Sequence, residues 1–163
     1  MKKLLSVFLI VVLFVSSFSS CGMLLESSED TQKIYDDTKE FYNTVLENKK
    51  LLDAVATDVC TVLKDANYSL STKQINEKIQ KELSDNQKTV DKIINTNNEI
   101  DALFYNVKNG YASIQVAAVM NCYLEYYDSI IKADAALDSG GYLTIAFNKD
   151  KLDSALRNLY IVL

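Results

Sequence analysis

From Ile34 to Ala66 the apolar side chains recur at gaps of three and four: Ile34, Phe41, Val45, Leu52, Val55, Val59, Val62 and Ala66, with Thr38 and Asn48 filling the remaining places. Only an α-helix brings such positions to one side, and a stripe this narrow is a seam for a neighbouring helix rather than the broad face of a helix lying on a sheet. The spacing predicts a helix over about Glu29 to Ala66. A second seam follows through Ile75, Ile79, Leu83, Val90, Ile93, Ile100, Phe104 and Val107, with Asn86 and Asn97 in seam positions. A polar seam residue weakens a helix pair but fixes its register; local tolerance of polarity in a wet seam explains these two asparagines equally well.

The punctuation agrees with a helical reading. The chain has no proline and four glycines in 163 residues, too few turn residues for a sandwich or an α/β fold of this length. Asn67 to Leu70 reads as a polar turn, and Ser71 with Gln74 forms a capping-box pattern at the start of the second helix. Lys108-Asn109-Gly110 reads as its C-terminus. A third helix, from about Tyr111 to Leu137, carries the most apolar stretch after the N-terminal segment, and a helix apolar around most of its girth is expected at the centre. Ser139-Gly140-Gly141 ends it, Tyr142 to Phe147 is ambiguous between extended and helical, and a short last helix starts near Asn148. The expected fold is all-α: an antiparallel bundle of two long helices, each about 55 Å, plus a third apolar helix and a short C-terminal helix.

The first twenty residues have a different anatomy. Lys2 and Lys3 precede an apolar run from Leu4 to Val15 broken only by Ser6, and Ser16 to Ser20 is a small-residue tail around Phe18. This is the build of a signal peptide, and the run is short for a membrane span. Phe18-Ser19-Ser20-Cys21 resembles the lipobox of bacterial lipoprotein precursors, in the relaxed form known from spirochaetes; the commonest form has Leu at the first position and Ala or Gly before the cysteine. The resemblance covers only this segment. It implies cleavage before Cys21, attachment of palmitate-type acyl chains to it, and, because Gly22 and not Asp follows, an outer-membrane destination in the cell envelope. Two or more chains make such an anchor effectively permanent, since each buried CH₂ contributes about 0.8 kcal/mol. The domain organisation is then a signal peptide over 1–20, a tether over 21–28 and a helical domain over 29–163.

Removing residues 1–20 takes Lys2 and Lys3 from the 17 basic residues and none of the 22 acidic ones, leaving 15 against 22, a balance of −7. An acidic surface argues against a nucleic-acid partner and against an anionic membrane face.

Two cysteines remain, Cys60 and Cys122. An exported chain with an even pair suggests a disulfide. If the chain turns at Gly110 the two lie at different heights in the bundle and remain small buried thiols; if it turns at Thr96–Asn98, where Thr96 and Glu99 form another capping-box pattern, they come within reach. The unbroken seam through Asn97 favours the Gly110 turn.

The residue inventory narrows the chemistry. There is no histidine, so Ser-His-Asp and Cys-His pairs, HExxH zinc sites and imidazole ligation are excluded. Glycines at 22, 110, 140 and 141 make neither a P-loop nor a GxGxxG turn, and there is no CxxC. Asp36 with Glu40, and Asp134 with Asp138, are carboxylate pairs one turn apart that read as solvated helix faces, so no metal is expected. Asn67-Tyr68-Ser69 matches a glycosylation sequon by chance spacing. Tyr123, Tyr126 and Tyr127 sit near Cys122 on the third helix; they fit either a pocket for an apolar or aromatic ligand, including a Tyr-ligated haem, or core packing with hydroxyls reaching the surface, and packing is the expected role.

The expected function is therefore that of a lipid-anchored, extracytoplasmic helical-bundle interaction protein without catalytic activity or cofactor, held to the membrane by covalent lipid and binding a protein partner. The alternatives are a carrier of a small apolar ligand in an interhelical pocket and a phage-type exclusion lipoprotein.

Overall fold

The computed structural model describes residues 28–66, 70–132 and 141–163. The signal segment with Cys21 and Gly22, the Asn67-Tyr68-Ser69 sequon, the Asp134/Asp138 pair, Ser139 and Gly140 lie outside the described residues. By its internal contacts the chain divides into residues 1–32 and 33–163. Of the first unit the described part is the opening of a helix, acidic at Glu29 and Asp30, a favourable sign at a helix N-terminus. The second unit holds the core.

The described residues form five helices and no strand: α1 Ser28–Asp65, α2 Thr72–Asp85, α3 Gln87–Val107, α4 Ser113–Ile131 and α5 Tyr142–Val162. The first seam of the sequence is buried along α1, with Phe41, Val45, Leu52, Val55 and Val59 enclosed and its polar members Thr38 and Asn48 equally buried. Ser71 starts α2 as expected: its Oγ accepts from the Gln74 N–H at 3.4 Å, and the Gln74 Oε1 accepts from the Ser71 N–H at 2.9 Å.

The second long helix of the sequence reading is in fact two. The chain breaks at Asn86, whose backbone leaves the helical region at φ −101, ψ 19. Its side-chain amide donates to the Glu82 carbonyl at 3.0 Å and to Asp58 Oδ2 on α1 at 3.1 Å. Asparagine competes in this way with the helix's own backbone bonds. One seam asparagine thus ends α2 and ties it across to α1. The other, Asn97, stays inside α3, and its Oδ1 is buried with no hydrogen-bond partner among the described residues.

The turn falls at Gly110 and α3 runs unbroken through Thr96–Asn98. Gly110 donates to the Val107 carbonyl and accepts from the Ser113 N–H. A Cβ at this position would lie 2.7 Å from Ile34 Cγ2 on α1, so the turn packs backbone against a branched side chain. Gly110→Ala is expected to lower stability by about 1–3 kcal/mol through overpacking, less a few tenths from the stiffer unfolded chain. Urea unfolding checks this, and the penalty should largely vanish in an Ile34→Ala background, where the clashing methyl is gone.

Two further expectations are corrected. The C-terminal helix is not short: α5 is 21 residues long, includes the ambiguous Tyr142–Phe147 segment, and is longer than the 19-residue α4. Gly141 at φ 64 permits its entry turn. And α4 is not enclosed on all sides. Val116, Val119, Met120, Tyr123, Tyr126 and Ile130 face the core, while Ile114 and Ala118 are exposed. The last residue is docked, its carbonyl accepting from the Tyr35 hydroxyl at 2.8 Å.

Cross-helix contacts fix which residues share a level. Phe41 meets Phe104 and Asn48 reaches the Ile93 carbonyl, so numbers fall along α3 as they rise along α1. Tyr35 stacks on Tyr111 and Asn48 bonds Tyr123, so numbers rise together on α1 and α4. Tyr42 meets Tyr160, and Lys64 lies over the Tyr142 ring, so they fall along α5. The backbones of α4 and α5 approach each other most closely.

Candidate functional site

The most concentrated polar chemistry lies at mid-height, where a few residues of α1 face α3, α4 and α5. Asn48 occupies a seam position and is fully buried. Its amide donates to the Ile93 carbonyl at 3.1 Å and to the Tyr123 hydroxyl at 2.8 Å. The neighbouring Lys49 is only 7% exposed. Its ammonium bridges Asp53 Oδ2 at 2.8 Å, one turn on along α1, and Asp153 Oδ1 on α5 at 3.1 Å. Asp53 Oδ1 in turn accepts from the Tyr126 hydroxyl at 2.7 Å and pairs with Lys149 at 3.2 Å. Two ammonium groups, two carboxylates and a phenol therefore close a charge-neutral cluster across three helices.

The cluster is tuned toward holding charge rather than moving protons. Burial opposes the charged form of Lys49, but the hydrogen bonds it donates to Asp53 and Asp153 outweigh it and hold the ammonium above its ordinary range. Burial likewise opposes ionised Asp53, and the hydrogen bonds from Lys49 and Tyr126 outweigh that and hold the carboxyl below its ordinary range. Burial, reinforced by the bond to Asp53, pushes Tyr126 up; burial pushes Tyr123 up against the opposing bond from Asn48. Lys49, Asp53, Tyr123 and Tyr126 are thereby driven deeper into the protonation states they have at neutral pH. A general acid or base needs the opposite, a pKa brought toward neutrality.

Tyr123 and Tyr126 are thus fully buried core residues, and their hydroxyls end on partners inside the protein rather than at the surface. Tyr127 is half-buried, its ring tilted against Tyr123 with centroids 6.1 Å apart. A groove of about 350 Å³ lies elsewhere, between α1 and α2, bordered by Asp58, Asp65, Lys78, Lys81 and Glu82. Among the described residues no group of three or more potential ligands is placed to hold a metal ion, and no helix is long and apolar enough to cross a membrane.

Cys60 and Cys122 are free thiols, each half-buried rather than enclosed. Because Asn48 faces Tyr123, Cys122 sits near the level of Asn48. Cys60 lies twelve residues further along α1, about 18 Å away by helical rise, well outside disulfide reach. Burial pushes both thiols above their ordinary range, which lowers their reactivity.

Sequence reasoning found Asn48 as a polar seam residue and missed the cluster beside it. Lys49 and Asp53 stand at the i,i+4 spacing of an ordinary surface ion pair. Their burial follows from Lys149, Asp153 and Tyr126, which only packing brings to them. The chain matches no family model, and no curated protein or solved structure is similar enough to it to count as a relative.

Proposed function

We propose that this chain is a lipid-anchored, extracytoplasmic helical bundle that works by binding a protein partner and performs no catalytic step. The observation that carries the reading is the N-terminal pattern: a charged start, an apolar run and a small-residue tail ending at Cys21, seven residues before α1 begins at Ser28. The absence of histidine and the protonation states of the mid-height cluster support a non-catalytic role.

In this reading α1, the α2–α3 pair, α4 and α5 alternate in direction as an up-down bundle. The falling and rising registers of their contacts support that arrangement. The anchor holds the Ser28 end near the outer membrane, and α1 carries the opposite end up to about 55 Å away, where it is free to meet a partner.

Cys21→Ala is expected to move the protein from the membrane to the soluble fraction and to abolish incorporation of labelled palmitate, with the helical circular-dichroism signal unchanged. A Cys21→Ala protein that stays equally membrane-bound would show that the apolar N-terminus itself is the anchor. Turnover by the wild-type protein that a point substitution abolishes would overturn the non-catalytic reading.

A further inference from the structure

The outer face of the α4–α5 pair carries the three most exposed aliphatic side chains among the described residues, Ile114, Ile161 and Leu143, with the exposed ring of Phe147 beside them. Ile114 on α4 is 81% exposed; on α5, Ile161 is 78%, Phe147 62% and Leu143 61% exposed. These are not scattered. Leu143 and Ile161 are eighteen residues apart, five full helical turns, and Phe147 is one turn from Leu143, so all three point away from the core on one side of α5. Ile114 and Glu125 are eleven residues apart, about three turns, on one side of α4. Lys151 lies one turn beyond Phe147, over its ring, and about 80° around α5 from Leu143 and Ile161; its ammonium pairs with Glu125 on α4, so the ion pair and Phe147 join the two sides along one outer surface. Ile114 lies eleven residues from Glu125 and Ile161 ten residues from Lys151, in the same direction because α4 and α5 run oppositely. The two isoleucines therefore sit at one level, about 15 Å from the ion pair.

We propose that this face binds a second copy of the chain, in a parallel two-fold dimer with α4 of each protomer over α5 of the other. Charge decides the occupant and its orientation. A two-fold axis along the bundle sets Glu125 against Lys151 of the partner subunit and Lys151 against the partner's Glu125, so each ion pair becomes half of an alternating square. The same axis sets Ile114 against Ile161 of the partner subunit. An antiparallel two-fold would instead oppose like helices and bring Glu125 toward the partner's Glu125. The size is sufficient: helices of 19 and 21 residues present a face about 30 Å long and about 20 Å wide, about 600 Å² per partner in projection, which clears the ~1,000 Å² total of a specific interface.

The proposal deepens the interaction reading and rests on it, but not on the lipid anchor. Its test is sedimentation equilibrium of the full chain in density-matched detergent. The wild type is expected to be dimeric. Ile114→Asp and Ile161→Asp, both at exposed positions, should each weaken association at least about tenfold with unchanged melting. Glu125→Lys alone and Lys151→Glu alone should each be mainly monomeric, because each homodimer would face four like charges. An equimolar mixture of the two should recover a heterodimer, since the basic pair on one variant then meets the acidic pair on the other; an ion pair acting only within one chain gives no such rescue. A monomeric wild type, a mixture that stays monomeric, or Ile114→Asp losing binding to phosphatidylcholine vesicles while association is unchanged would overturn it. A dimer that survives alongside a soluble Cys21→Ala protein, or alongside a membrane-bound one, separates this result from the fate of the anchor.

Discussion

Asp53→Leu is expected to lower the free energy of unfolding by about 2–3 kcal/mol, less than the ~3–5 kcal/mol of a fully buried ion pair because the Asp53 side chain keeps 27% of its surface in water. The loss would come less from the attraction removed than from what is left behind. Lys49 is nearly enclosed and would keep only Asp153, the Tyr126 hydroxyl would have no acceptor, and Lys149 would lose its counter-charge. Replacing Lys49 by Met and Asp53 by Leu together should cost less than Asp53→Leu alone, because no buried ammonium is stranded. Chemical denaturation of the three variants measures the difference.

The same substitution has a defined pH signature. Asp53 is held below its ordinary value of 3.8 in the folded protein. Its contribution is therefore fully present above that value and is lost as pH falls through the lower folded-state pKa. Lys49 is held above its ordinary value of 10.5, so its contribution is full below that pH and fades only as pH rises through the higher folded-state pKa. The stability gap between wild type and Asp53→Leu should be flat from about pH 5 to pH 9 and narrow in acid. A gap that widened in acid would show that Asp53 is not the ionised centre of the cluster.

Tyr123→Ala is the second large effect, about 3–5 kcal/mol for emptying an aromatic-sized space in a packed core. Tyr123 is fully buried, lies against Tyr127, and supplies one of the two acceptors of the Asn48 amide. Tyr123→Phe separates the two roles. It keeps the volume and removes only the acceptor, for about 1–2 kcal/mol, because Asn48 still reaches the Ile93 carbonyl. If the Phe variant were as unstable as the Ala variant, the hydroxyl rather than the ring would be the main contributor.

Much of the secondary structure was legible because it is a matter of periodicity. The seam from Ile34 to Ala66 specified α1 to within a residue or so, and Ser71 with Gln74 marked the start of α2, since capping is decided by neighbours three residues apart. The break at Asn86 was not legible. The apolar spacing passes through it in phase, and the break comes from a side chain bonding both Glu82 and Asp58. The extent of α5 was obscured by Gly141 and the mixed Tyr142–Phe147 segment, where local propensity is weak and burial of Ile145 against the core decides the outcome.

The mid-height cluster marks the same boundary more sharply. Lys49 and Asp53 look in the sequence like any solvated i,i+4 pair, and Lys149 and Asp153 like another. The burial of Lys49 and the joining of these pairs with Tyr126 depend on how α1, α4 and α5 meet, an arrangement of residues about a hundred positions apart in the chain. The sequence by itself determined that the chain is helical, where α1 and α2 begin, that the chain turns at Gly110, and which residue types it lacks; all of these are set by neighbours within a few turns or by residue inventory. Only the tertiary structure decided which polar groups are buried against one another and which apolar ones are left facing outward. The reason is physical: burial and the low dielectric that comes with it belong to the packed assembly of helices, and no single stretch of chain carries that information.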